Sequence, residues 1–335
     1  MAAAPPPGAD DGAFDWPAEL TGVFEDAITC EYASLTPSGR PVTVPSTPYR
    51  GAGTLDVSTG LSYPAKAERA RGNPKVALLF ADTIGVGAAP VVLVQGLAAV
   101  RDADLQANTD RYVRVASAKL PAATKGQPRF LLRRMAFYYA RIWVEISPRR
   151  ILWWEDRRLA APPREWRADP SLPEPASDPA PAGDRPAAWL APPADWRAVA
   201  ARALEELPLA DLTYVAEDGF PVCIPVTAGA LAQDEVPLSF GPGAPPLSPG
   251  RACLTVHGHD PAFTSQENHT LVGTLAPGEP GAARLHVERA LADWSLTGNR
   301  AQIAFGFMRK GRTLAPRLKR EAERRGQPVP AVRFP

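Results

Sequence analysis

The chain contains an internal repeat, and this repeat limits the fold more than any other feature. Residues 34–45 read Ser-Leu-Thr-Pro-Ser-Gly-Arg-Pro-Val-Thr-Val-Pro, and residues 214–225 read Tyr-Val-Ala-Glu-Asp-Gly-Phe-Pro-Val-Cys-Ile-Pro. Four identities stand 180 positions apart, namely Gly39 with Gly219, Pro41 with Pro221, Val42 with Val222, and Pro45 with Pro225. This register predicts a duplicated unit.

Two further segments extend the correspondence with slightly different offsets. Residues 76–79 match residues 252–255, and residues 94–98 match residues 271–275. A chain of 335 residues suits two domains, because about 150 residues are enough to enclose a hydrophobic core. We therefore predict two copies of one kind of domain.

The composition divides the chain into four segments. Residues 1–15 are small, proline-rich and acidic, which is typical of a disordered lead-in. The first domain is predicted over 16–160, and the second, with a C-terminal helix, over 196–335. Between them, residues 161–195 carry ten prolines, which remove backbone donors and predict a linker. Trp166 and Trp189 are unusual for a free spacer and predict that parts of the linker pack down.

Within each unit the local pattern is that of short β-strands. In the first unit, a turn at 37–40 joins two β-branched runs, and further strands are predicted at 54–59, 76–82, 90–101 and 138–154. Short helices separate some of them. This pattern favours a mainly β fold, an antiparallel barrel with short helices. The basic segment 312–325 is predicted to be a helix that packs on its own domain.

Charge and cysteine content exclude several partners. The 37 Lys and Arg residues against 36 Asp and Glu residues give a net charge of +1, which attracts neither nucleic acid nor an anionic membrane. Cys30, Cys223 and Cys253 are odd in number and widely spaced, which fits neither a disulfide framework nor a zinc motif. No signal-peptide pattern or apolar run of about 20 residues occurs. We expect a cytoplasmic protein.

Five motifs follow one another in the first half. They are Gly39-Arg40-Pro41, Val57-Ser58-Thr59, Lys66 with Arg69, Asn73-Pro74-Lys75-Val76, and Gln95-Gly96-Leu97-Ala98. In this order and spacing, residues 20–115 resemble the pyridoxamine-phosphate-oxidase-like family of FMN-binding split β-barrels, and the second half resembles it more faintly. The resemblance implies two split barrels that bind FMN, or in some branches the deazaflavin coenzyme or haem, in the groove between them.

Basic residues after the second motif are candidates for holding a cofactor phosphate. Lys66, Arg69 and Arg71 on a short helix, with the hydroxyls of Ser58 and Thr59, supply the charge-assisted donors that a dianion needs. A solvated helix face would carry the same charges. Both interpretations stay open at this point.

The resemblance also places the flavin ring. It implies that the backbone of Val44, Pro45 and Ser46 faces the polar edge of the ring and that Gln95 belongs to the cofactor site. The same residues would serve equally well as barrel wall.

The second half lacks the basic helix. Residues 241–250 read Gly-Pro-Gly-Ala-Pro-Pro-Leu-Ser-Pro-Gly in its place, so we expect no second phosphate clamp. The two halves are therefore predicted to form an intramolecular pseudo-dimer with one cofactor, either as a monomer or as a homodimer.

Two histidines in the second half are candidate catalytic residues. His257 and His259 stand two apart on a predicted strand and so share a face, and imidazole suits the donation of a proton to a substrate. Asp260, Glu267 and His269 lie close by, so a metal or haem site is an alternative. The spacing is typical of no metal motif, and we expect no metal.

Sequence motifs of three other enzyme classes do not occur. The Gly-x-Ser-x-Gly nucleophile turn, the phosphate-binding P-loop and the Rossmann glycine fingerprint do not appear in the sequence. We predict an FMN-dependent oxidoreductase that acts on a small molecule. The alternatives are a deazaflavin-dependent reductase, a non-catalytic flavin- or haem-binding protein, and a scaffold with an empty groove.

Overall fold

The structure is a computed structural model. It describes residues 16–82, 86, 89–119, 135–184, 190–260, 265–292, 295–298 and 300–334. The predicted lead-in at 1–15 and Trp189 of the predicted linker lie outside the described residues. All three cysteines are buried and free.

The first half forms one antiparallel sheet. Its strands are β1 (Cys30–Leu35), β2 (Pro41–Ser46), β3 (Tyr49–Arg50), β4 (Leu55–Gly60), β5 (Lys75–Phe80), β6 (Val91–Arg101), β7 (Arg141–Trp154) and β8 (Arg164–Arg167). They are hydrogen-bonded in the order β2-β1-β5-β6-β7-β4-β3, with β8 paired to β7. Because β4 pairs with β7 as well as with its neighbour β3, the sheet curls into a half-open barrel.

The second half repeats this topology strand for strand. Its strands are β9 (Leu209–Val215), β10 (Pro221–Pro225), β11 (Thr227–Ala228), β12 (Glu235–Ser239), β13 (Gly250–His259), β14 (Gln266–Pro277) and β15 (Ala282–Ala290). Their order, β10-β9-β13-β14-β15-β12-β11, is that of the first sheet with each label raised by eight. The predicted mainly β fold of two split barrels is confirmed.

Helices lie around both sheets. They are α1 (Thr21–Asp26), α2 (Ala65–Gly72), α3 (Leu105–Lys119), α4 (Ala136–Tyr139), α5 (Trp196–Glu206) and α6 (Arg300–Arg324). The start of α5 is capped by Asp195, whose Oδ1 accepts a hydrogen bond from the backbone N–H of Ala198 at 3.0 Å. Within the described residues, no helix combines the length and the apolar character that a membrane span needs.

Strand pairing confirms the register of the repeat. In the first hairpin Ser34 lies opposite Val42, and in the second Tyr214 lies opposite Val222. The turn glycines have φ values of 76° at Gly39 and 81° at Gly219. A left-handed conformation of this kind favours glycine because it has no Cβ. The pairing of β6 with β7 and that of β14 with β15 shift at predicted equivalent positions, between residues 95 and 96 and between residues 272 and 273.

The two halves pack through a shared hydrophobic core. Along β5, Val76, Leu78 and Phe80 enter the core of the first half, whereas Ala77 and Leu79 enter the core that also contains the interior of the second half. Alternate residues of a strand point to opposite faces of a sheet. The first sheet is therefore buried on both faces, and the predicted intramolecular pseudo-dimer is confirmed.

The C-terminal helix α6 packs on the first half. Leu314, Leu318 and Ala322 are buried in the first core, and Gly311 lies directly against the ring of Phe137 in α4. This differs from the expectation that the segment packs on its own, second domain. An apolar stripe requires an apolar surface, but the spacing of its residues does not show which half supplies that surface.

Part of the predicted linker is built into the first half. Residues Arg164–Arg167 form β8, in which Trp166 lies opposite Ile151 and packs against the first core. Farther along, Asp178 Oδ2 accepts hydrogen bonds from the backbone N–H groups of Asp102 and Ala103. The packing predicted from Trp166 is present. The domain boundaries themselves stay a prediction.

Candidate functional site

A cluster of cations lies at one end of the first barrel, and we call it the cationic site. It consists of Lys66 on α2, Arg69 one turn later, and Arg141, the first residue of β7. The register of β4 with β7 sets Arg141 opposite Gly60, at the end of the strand that carries Ser58 and Thr59. The topology of the sheet thus brings together residues that are far apart in sequence.

Arg141 is a buried cation, with 6% of its surface exposed. Its Nη2 donates to the hydroxyl of Tyr112 at 2.9 Å, and its guanidinium lies 4.1 Å from the ring centre of Tyr112 and 4.6 Å from that of Tyr138. Its Nε is buried and has no hydrogen-bond partner. Among the described residues it forms no ion pair with a carboxylate. A buried charge without a counter-ion is costly, so this donor set fits an anionic ligand.

Lys66 adds a second donor. Its Nζ donates to Ser46 Oγ, at the end of β2, over 2.8 Å. Burial and, to a smaller extent, the positive charge of Arg141 together lower the pKa of Lys66 to about 7. A nearby dianion would reverse this effect and favour the protonated amine. Arg69 Nε donates a hydrogen bond to Ser34 Oγ over 2.9 Å.

Most of the other predicted cofactor residues lie around this cluster. Val44 packs against the first core and Pro45 is half-buried on β2. Ser58 is half-buried on β4, opposite Trp143. Thr59 is buried, and its hydroxyl donates to the carbonyl of Tyr63 at 3.1 Å. Their contact with a cofactor stays a prediction.

Two predicted residues have other partners. Gln95 is buried, and its Nε2 donates to the carbonyl of Pro221 in the second half at 3.0 Å, so it joins the two barrels. The interpretation of Arg71 as a third phosphate donor is wrong, because its Nη2 forms an ion pair with Asp102 Oδ1 at 2.7 Å. The helical twist turns Arg71 away from Lys66, toward the start of α3.

His257 lies at the interface between the halves, in a triad with two carboxylates. Its Nε2 is 2.8 Å from Asp211 Oδ2 on β9 and 3.7 Å from Glu31 Oε1 on β1. All three residues are buried. Burial alone would lower the pKa of His257, but the charges of Glu31 and Asp211 outweigh it and raise the pKa to about 9.

Glu31 connects this triad electrostatically to the cationic site. Burial raises the pKa of Glu31, while the charges of His257 and Lys66 oppose that shift. Lys66 and His257 therefore both act electrostatically on the carboxyl group of Glu31. That arrangement could hold a proton close to a ligand in the cationic site.

His259 crosses the interface in the same way. Its Nε2 forms an ion pair with Asp82, just after β5 of the first half. His257 and His259 thus share a face of β13, as predicted, and both face carboxylates of the other barrel. Their catalytic role stays a prediction.

Sequence reasoning missed Arg141, Glu31 and Asp211. Arg141 stands at the start of an apolar strand, between Ala140 and Ile142, and an arginine in such a run is a usable signal. Glu31 and Asp211 stand at equivalent positions of the repeat, 180 residues apart, and a comparison of the two copies would have paired them.

Comparisons with known proteins add little beyond the fold. No protein-family model and no curated protein match the chain. Among solved structures, a pyridoxamine 5'-phosphate oxidase-related, FMN binding protein from Nostoc punctiforme is similar, with 16% identity, a TM-score of 0.28, and coverage of 38% of this chain and 74% of that one.

Two further similar structures are of proteins named for other cofactors. An F420 reductase is 14% identical with a TM-score of 0.31, over 40% of this chain and 95% of that one. HutZ, a haem storage protein from Vibrio cholerae, is 15% identical with a TM-score of 0.25, over 36% of this chain and 81% of that one. Similarity this low does not indicate which function this chain has.

Proposed function

We propose that the cationic site binds the phosphate of FMN and that the protein is an FMN-dependent oxidoreductase acting on a small molecule. The observation that carries this proposal is Arg141, a buried guanidinium that forms no ion pair with any carboxylate in the described part of the chain and whose Nε has no hydrogen-bond partner. A protein accepts the cost of such a charge when a ligand supplies the counter-ion.

The charges of the site fit a phosphate. Arg69, Arg141 and, when protonated, Lys66 supply three positive charges, which attract the two negative charges of a phosphate monoester near neutral pH. Arginine presents its N–H groups in a planar fork suited to phosphate oxygens, and lysine supplies a compact point charge. Ser46 Oγ, which now accepts from Lys66, can turn its own hydrogen toward a phosphate oxygen.

FMN is favoured among phosphate compounds by the motifs of the first half and by their position. Lys66, Ser46 and Arg141 would hold the phosphate, and the backbone of Val44 and Pro45 would face the ring. When bound, the flavin would supply hydride transfer to or from the substrate. The residues of the chain bind and orient the flavin. The tyrosine rings around Arg141 keep water away from the phosphate end of the flavin.

The visible spectrum of the purified protein tests the cofactor. Titration with FMN, the deazaflavin coenzyme and haemin in turn, with difference spectra recorded at each step, identifies the preferred ligand. We expect saturable binding of FMN. Tighter binding of haemin, with a Soret band, would replace the proposal by a haem-binding function, and tighter binding of the deazaflavin would replace it by a deazaflavin-dependent reductase.

Matched variants test the site. Lys66→Ala removes a charge-assisted contact and should weaken FMN binding by on the order of tenfold or more. Arg141→Gln should do the same. Arg150→Ala is the control, because Arg150 is also a strand arginine but pairs with Glu165 at the surface, at 2.7 Å. Unchanged affinity in both site variants would refute the assignment.

A non-catalytic flavin-binding protein is the second candidate. The observation that favours it is the burial of His257, with 3% of its surface exposed, and its pairing with carboxylates rather than with an open groove. Anaerobic reduction of the FMN-loaded protein by NADH or NADPH, followed by reoxidation with added electron acceptors, separates the two functions. Turnover supports the oxidoreductase, and a flavin that is bound but never reduced supports the binding protein.

A further inference from the structure

Glu31, Asp211 and His257 meet in a buried place, and binding of a phosphate in the cationic site does not explain why. Glu31 and Asp211 occupy equivalent positions of the two halves, so the pseudo-two-fold relation brings two like charges together in a buried place. The same strand pairing makes His257 equivalent to Ala81. The second half therefore places the imidazole of His257 beside the two carboxylates, at a position where the first half has the methyl group of Ala81.

The three side chains converge on one point. Their ligand atoms lie within 4.8 Å of one another, with Nε2 of His257 at 2.8 Å from Asp211 Oδ2 and 3.7 Å from Glu31 Oε1. Ligands that each bind one metal ion at about 2.1 Å lie about 3.0 to 3.4 Å apart. The observed distances bracket this spacing, so small side-chain movements would complete a coordination shell.

Glu31 gives an independent sign that a ligand is missing. Its side chain is buried, with 3% of the residue exposed, and its Oε2 has no hydrogen-bond partner. A buried carboxylate oxygen without a partner costs free energy. A cation held between Glu31 and Asp211 would remove that cost, because each carboxylate would then coordinate it.

We propose that Glu31, Asp211 and His257 bind one divalent first-row transition-metal ion, such as Zn²⁺, between the two barrels. One imidazole nitrogen and two carboxylate oxygens form a donor set that such ions accept. The two carboxylates balance the charge of the ion. This site shares only His257 with the metal alternative weighed from the sequence, which grouped that residue with His259, Asp260, Glu267 and His269.

Arg157 is the outer support of this site. Its Nη2 is 3.2 Å from Asp211 Oδ1, and its Nη1 donates to the carbonyl of Ala81 at 3.0 Å. It thereby holds Asp211 so that the other oxygen, Oδ2, faces His257. Groups that orient a ligating carboxylate in this way are common around metal sites. Since the ligands come from both halves, the bound ion would also link the two barrels.

The experiment uses the full chain, without any flavin. The protein is freed of metal with EDTA, dialysed, and titrated at pH 8 with Zn²⁺ by calorimetry and with Co²⁺ by visible absorption. We expect one equivalent to bind, with an absorption band that reports nitrogen and oxygen ligands. Glu31→Gln keeps the size of the side chain and removes a charged ligand, so it should weaken binding at least tenfold, and His257→Gln should do the same.

Two control variants separate this site from other histidines. His286→Ala removes an exposed histidine of β15 and should bind metal as the wild type does. His259→Gln removes the neighbouring pair with Asp82 and should also leave binding unchanged. The proposal is overturned if the wild type binds neither ion, or if Glu31→Gln and His257→Gln bind as tightly as the wild type. Failure here leaves the flavin proposal intact, because no step of this test uses FMN.

Discussion

A buried ion cluster anchors the C-terminal end of the chain to the helix that carries Lys66. Arg325, one residue beyond α6, contacts three carboxylates: Glu68 Oε1 at 3.0 Å, Asp102 Oδ2 at 2.8 Å and Glu321 Oε2 at 2.5 Å. The side chain of Arg325 is 2% exposed. Arg71 and Arg324 add further contacts to Asp102 and Glu321. Three guanidinium groups thus balance three carboxylates.

Arg325→Ala should destabilise the first half strongly. The change leaves three buried carboxylates with two cations, so one negative charge loses its compensation. Removing one partner of a buried ion pair costs about 3–5 kcal/mol. With a urea m-value of about 2–3 kcal/mol per molar, the midpoint of unfolding should fall by roughly 1–2.5 M. Because Glu68 lies two residues from Lys66 on α2, FMN affinity should fall as well.

The assay is urea unfolding of the full chain, followed by tryptophan fluorescence and by far-UV circular dichroism. Two probes are needed because two barrels need not unfold together. Arg333→Ala is the matched control: its side chain is 66% exposed and pairs with Asp110 at 3.4 Å, so the loss should stay below about 1 kcal/mol. A loss below about 1 kcal/mol in Arg325→Ala as well would refute the reasoning.

Three further predictions concern binding, packing and the interface. FMN affinity should fall as the pH rises above about 7, because Lys66 of the free protein then loses its proton and with it the positive charge that attracts an anion. In Lys66→Arg the charge persists, so the fall should be smaller in titrations from pH 6.5 to 9. Leu318→Ala should lower the free energy of urea unfolding by about 2–5 kcal/mol, through a cavity in the first core. Gln95→Ala leaves the buried carbonyl of Pro221 without its donor and should cost about 1–3 kcal/mol in the same assay, whereas no measurable cost would show that the bond is dispensable.

The duplicated fold could be predicted because it is encoded locally. The hairpin turns at Gly39 and Gly219 require a left-handed backbone, and runs of β-branched residues flank the first turn. Both signals are visible within a dozen residues. The offsets between the copies, 180 and then slightly less, match the observed strand pairing because each strand keeps its partner in both sheets.

The cationic site could be predicted only in part. Lys66 belongs to a motif of the first half, and the family resemblance implies a role for Ser46, so their region was identifiable. Arg141 reaches the site because β7 pairs with β4 across more than eighty residues of chain. Such long-range pairing depends on how the whole sheet closes, and no local pattern specifies it.

The placement of charged partners was likewise not readable from sequence. Arg71 carries the same charge as Lys66 on the same helix, yet it pairs with Asp102 because the helix turns it to another side. The C-terminal helix carries an apolar stripe that suits either barrel, and the ion cluster around Arg325 exists only once it has docked on the first. Both outcomes are set by tertiary packing.

The phosphate site is tested most directly by comparing FMN with riboflavin, which differ only in the phosphate. Fluorescence titrations of the wild type and of Lys66→Ala with each ligand give four affinities. The wild type should bind FMN tighter than riboflavin by on the order of tenfold or more, and Lys66→Ala should reduce this preference while leaving riboflavin binding unchanged. Equal affinities in the wild type, or the same preference in both proteins, would contradict a phosphate held by Lys66.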